Sequence, residues 1–88
     1  MVVINNNTLK DLFYTNAIYE LHKAEEKILL FEKKYNNSFD EFERNIKGSK
    51  EEHFEQWDDY MEWKAYSKSV IDLKTEIEDI KNGNYKIS

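Results

Sequence analysis

The chain has 88 residues, with 13 Lys and Arg against 18 Asp and Glu for a formal charge of −5, and it contains neither Cys nor Pro. That length closes one small core, the lack of Cys removes disulfides and thiolate metal sites, and the acidic balance excludes nonspecific nucleic-acid binding, which needs a basic face. With 40% hydrophobic and 35% charged residues, the composition describes a folded, helix-rich chain, read as one domain over 1–88.

The opening MVVINNN lacks the charged start and apolar run of a signal peptide. No stretch is long and apolar enough to span a membrane, so a cytoplasmic location is expected. The segment VVI at 2–4 is β-prone, as is YKI at 85–87. An antiparallel hairpin brings the two ends together, where they either pair, remain tails, or form an edge that a partner's sheet extends.

A first helix is predicted over about 9–35. It starts from T-x-x-D at Thr8 to Asp11, which supplies a capping hydroxyl and an acid for the first turn. Asn36 and Asn37 end it, because Asn tolerates the left-handed conformation. Ser38 and Glu41 form an S-x-x-E box that opens a second helix over about 39–47, closed by Gly48. A second such box, Ser49 to Glu52, opens a third helix over about 50–82, which Asn82 and Gly83 stop.

Periodicity says what the long helices are for. Tyr14, Ala17, Leu21, Ala24, Ile28, Phe31 and Tyr35 step by 3, 4, 3, 4, 3 and 4, and Trp63, Tyr66, Val70, Leu73, Ile77 and Ile80 keep the same rhythm. Two such seams joined by a short connector predict an all-α fold, an antiparallel helical hairpin of coiled-coil character. In that register Phe31 and Tyr35 face Trp63 and Tyr66, while Tyr14 and Ala17 face Ile77 and Ile80. Ala17 and Ala24 make room for large partners. Phe39, Phe42 and Ile46 share one face of the short helix and cap the aromatic end of the hairpin.

Extended backwards from Trp63, the third helix's seam lands on Asp59 and Gln56 and therefore ends. Phe54, Trp57 and Met61 keep helical spacing among themselves, with Tyr60 beside them. At ~100° per residue this second stripe is turned more than a right angle from the first. Either it packs inside the monomer, against the second helix and the loop after Tyr35, or Trp57, Tyr60 and Met61 form a docking face. Trp and Tyr are enriched among interface anchors. Positions 50–62 hold six acids against Lys50, a formal −5 that equals the charge of the whole chain. Aromatic anchors among carboxylates suit a basic protein surface, with the charges acting mainly on encounter. The candidate partner-binding residues are Phe54, Trp57, Asp58, Asp59, Tyr60, Met61 and Glu62.

One seam buries little apolar surface for a chain of this size. Leu12, Phe13, Ile18, Tyr19, Leu29 and Leu30 are left over on the first helix, pointing away from the seam or flanking it, so the chain is expected to pair with itself or with another protein.

Material for catalysis is missing. His22 and His53 lack a Glu three positions before them, as di-iron bundles require. There is no H-E-x-x-H, no Gly-rich phosphate loop and no Cys nucleophile. The sole Arg, Arg44, is separated from His53 by a helix break. Lys23, Lys27, Lys33 and Lys34 interleave with Glu20, Glu25, Glu26 and Glu32 as a solvated face rather than a nucleic-acid surface. No enzyme, cofactor, metal site or membrane contact is expected.

The stretches FEKKYNNSFDEFE and DDYMEWKAYSKSVIDLKTEIEDIKNG, within about positions 31–83, resemble small helical antitoxins of prokaryotic toxin–antitoxin pairs. That family tends to read E-K-K-Y-G, then S-x-E-E-F, then an acid-rich spacer and E-W; Asn36 stands here where Gly is usual. The resemblance implies a non-enzymatic protein that masks a small basic, nuclease-like toxin, and it marks Tyr35, Phe39, Phe42, Glu62 and Trp63 as signature positions. The leading expectation is therefore an antitoxin-like inhibitor. The alternative is a self-associating scaffold protein that forms a four-helix homodimer.

Overall fold

The computed structural model describes residues 6–49 and 53–83. Helix α1 spans Asn6–Tyr35, α2 spans Phe39–Gly48 and α3 spans Phe54–Lys81. The fold is all-α, an antiparallel hairpin of two long helices with a short connecting helix, and no strand occurs among the described residues. The β-prone segments at 2–4 and 85–87 lie outside those residues.

Local chemistry accounts for most of the boundaries. Asn36 closes α1 in the left-handed region, at φ 51°, where Asn is better tolerated than most residues. Ser38 then caps α2: its side chain accepts from the Glu41 amide at 3.3 Å, and Asp40 and Glu41 occupy the positive first turn. At the far end the Asn82 amide donates to Glu78 O at 3.1 Å and the Gly83 amide to Ile80 O at 3.1 Å. Gly83 turns the chain at φ 78°, a conformation that costs glycine little.

Two predicted starts move. Helix α1 begins at Asn6, two residues before Thr8, and has no acid in its first turn. Helix α3 begins at Phe54 with His53 at its cap position, whereas Ser49 is the extended residue that follows α2. A capping box biases a start by only about 1 kcal/mol.

The core forms in two parts along the hairpin. Near the chain ends, Ala17, Leu21, Ile77 and Ile80 are buried, with Phe13, Ile18, Val70 and Leu73 packed on them. At the other end Phe42, Ile46, Tyr60 and Trp63 are buried beneath Ile28, Phe31, Tyr35 and Phe39. Trp63, fully enclosed, stacks on Phe31 at 5.6 Å and on Phe42 at 5.3 Å, with Phe39 edge-on at 5.5 Å. The predicted register is therefore the observed one. It departs at Tyr14, which is 36% exposed, while Phe13 packs on the core in its place. A seven-residue repeat drifts ~20° per heptad on a straight helix, and over the first turns of α1 that drift carries Tyr14 outward and Phe13 inward. Between the two halves, small Ala24 faces the middle of α3. There an open groove of about 430 Å³ runs between Glu20 and Lys23 on one side and Tyr66, Ser69, Asp72 and Glu76 on the other.

Candidate protein-docking surface

The outer face of α3's first half carries Phe54, Trp57 and Met61, which are 76%, 39% and 61% exposed. Their i, i+3, i+7 spacing aligns them on one side of the helix, and neither α1 nor α2 covers them. Trp57 meets Tyr60 edge-to-face, with ring centroids 5.5 Å apart at 89°. That contact fixes the indole against the core while leaving part of it accessible, a geometry worth ~1 kcal/mol beyond burial. Asp58 and Glu62 are also exposed, and at ~100° per residue they run along one edge of the stripe.

Tyr60 is a correction to the expected docking set. It is 3% exposed, stacks on Phe39 at 5.7 Å with rings only 5° from parallel, and donates its hydroxyl proton to Glu43 Oε2 at 2.6 Å. Lys47 and Lys64 lie 6.0 and 5.8 Å from its ring centroid. The reason is α2, whose apolar face closes over the side of α3 that carries Tyr60. The inward alternative thus holds for this residue, while Phe54, Trp57 and Met61 stay exposed.

Asp59 is the second correction. Its side chain is 14% exposed and accepts from Lys34 Nζ at 2.6 Å, and the Tyr35 hydroxyl also donates to it. Lys34 reaches Glu55 as well, at 2.9 Å. Asp59 therefore continues the seam in polar form instead of ending it, and ties the last turn of α1 to the first turns of α3. Lys34, Tyr35 and Glu43 are partners that the sequence reading misses. The usable signal was an acid at a seam position opposite a Tyr at the matching seam position.

The titration behaviour follows from these contacts. Burial pushes the Asp59 carboxyl up, but hydrogen bonds from Lys34 and Tyr35 outweigh it and hold the group below the usual range. Burial, and then the bond to Asp59, push the Tyr35 phenol up to about 12. The bond to Asp59 holds the Lys34 ammonium above its ordinary value, and the Tyr60 hydroxyl keeps Glu43 below its own.

Among the described residues no group of three or more His, Cys, Asp or Glu side chains is placed to hold a metal ion. No helix there is long and apolar enough to cross a membrane. Of the seven expected contact residues, the structure brings Phe54, Trp57, Asp58, Met61 and Glu62 together on the open side of α3. No curated protein and no solved structure matches the chain. The model of the Uncharacterized protein MJ0235 family matches residues 2–85, and the chain belongs to that family.

Proposed function

We propose that this chain is a protein-binding, antitoxin-like inhibitor that lays the outer face of α3's first half on a small basic, nuclease-like protein and masks it. The observation that carries this reading is the uncovered stripe of Phe54, Trp57 and Met61 beside exposed Asp58 and Glu62. Three large apolar groups are held open on one helix, and Trp57 is already braced on Tyr60, so docking that indole costs little side-chain entropy. The carboxylates at the edge favour a basic partner and speed its encounter. A half-exposed Trp braced on a buried Tyr has the character of an interface anchor.

The test is whether a small basic protein is encoded next to this chain's gene and, where it is, whether it binds this chain. Calorimetry is expected to show a stoichiometric complex that suppresses the partner's activity. Trp57→Ala is expected to weaken it by about 30-fold, the equivalent of ~2 kcal/mol at an anchor. Asp58→Lys combined with Glu62→Lys is expected to slow association while far-UV circular dichroism stays unchanged. No complex, or a complex indifferent to all three substitutions, refutes the reading.

A further inference from the structure

The outer face of α1 carries a second stripe, unrelated to the docking face on α3. Leu12, Asn16, Tyr19, Lys23, Glu26 and Leu30 step by 4, 3, 4, 3 and 4, which at ~100° per residue places them opposite the seam that faces α3. Leu12, Tyr19 and Leu30 are 56%, 60% and 60% exposed, with Leu29 beside them at 53%. We propose that this stripe is the interface of an antiparallel homodimer, in which α1 of one copy packs on α1 of the next to complete a four-helix bundle.

The occupant is identified by pairing chemistry. A two-fold axis crossing the outer face at the level of Leu21 sets Leu12 against Leu30, Asn16 against Glu26 and Tyr19 against Lys23, each pair formed twice. Every pair is favourable: apolar on apolar, an amide donor on a carboxylate, and an ammonium on an aromatic ring. Lys23 Nζ already lies 5.6 Å from the ring centroid of its own Tyr19, so in the dimer two such units meet across the axis. A parallel pair in register instead sets Lys23 on Lys23 and Glu26 on Glu26. The same two-fold applied to the outer face of α3, through Trp57, Met61, Lys64, Lys68, Ile71 and Thr75, sets Lys64 on Lys68 twice. Like-charge repulsion therefore disfavours that pairing on α3, whereas the α1 pairing has none, and with α1 as the interface the Phe54 stripe stays open in the dimer.

Because the chain contains no Cys, engineered thiols report the geometry directly. In a glutathione redox buffer, Leu12→Cys combined with Leu30→Cys is expected to yield a disulfide-linked dimer. Either single variant is expected to stay unlinked, since like positions lie ~27 Å apart along the helix, far beyond disulfide reach. Sedimentation equilibrium of the wild-type chain is expected to give twice the 10.7 kDa chain mass, and Leu30→Glu, at an exposed position, to halve it with helicity unchanged. A monomeric wild-type chain, linkage of Leu12→Cys alone, or a dimer that resists Leu30→Glu but dissolves with Met61→Glu would overturn the assignment.

Discussion

Asp59 shows how one side chain changes role between a helical wheel and a folded hairpin. On the wheel it is a charge where the apolar seam stops; in the structure it accepts hydrogen bonds from Lys34 and Tyr35 and holds two helices together. The consequences are visible in pH. Asp59 and Glu43 have depressed folded values, so their contribution is present above the unfolded carboxylate range of about 4 and is lost as pH falls through the folded value. Tyr35 is raised to about 12, so its contribution is present below about 10 and is lost as pH rises through the folded value. Urea unfolding is therefore expected to give a stability plateau from about pH 5 to 9, falling on both sides. Tyr35→Phe is expected to remove a tyrosine that titrates at about 12 from an alkaline absorbance titration. It should also lower stability by about 1.5 kcal/mol, the value of a hydrogen bond to a charged group; an unchanged titration curve would show that the Tyr35 phenol is not raised. The candidate contact residues were legible only in part for the same reason. A wheel shows which side a residue faces, but not that α2 covers Tyr60 and leaves Trp57 open.

The helices themselves were legible because their signals are local. Alternating steps of three and four mark the seams, Ser38 and Glu41 mark a start, and Asn36 and Gly83 mark stops, each through the conformation its own side chain allows. The starts of α1 and α3 were misplaced because a cap is only a small bias on where a helix begins. The Asn36 turn carries a test at this scale. A residue at φ 51° is tolerated as Asn and unstrained as Gly. Asn36→Gly is expected to leave the thermal midpoint within a few degrees of wild type. Asn36→Val, a β-branched residue forced left-handed, is expected to cost about 1–2 kcal/mol and to lower that midpoint clearly. Equal midpoints for the two variants would mean that the turn relaxes to another conformation.

The whole molecule measures 61 × 20 × 20 Å, a rod whose buried core lies along one seam and under one short helix. Such a shape leaves α1 and α3 each with an outer face, and the two differ: α1 carries the Leu12, Tyr19 and Leu30 stripe proposed to pair with a second copy, and α3 carries the Phe54 stripe on an acidic edge. If α1 closes a homodimer, folding is coupled to association. The thermal midpoint of the wild-type chain is then expected to rise with protein concentration, and that dependence to vanish in Leu30→Glu. A midpoint independent of concentration across a hundredfold range would speak for a self-sufficient monomer. The sequence alone determined the all-α class, the hairpin register and the turn at Asn36, because seam periodicity and backbone preference are properties of neighbouring residues. Only the tertiary structure decided that Tyr60 and Asp59 turn inward while Phe54, Trp57 and Met61 stay open. That outcome depends on where α2 crosses α3, a contact between segments whose relative placement no local pattern encodes.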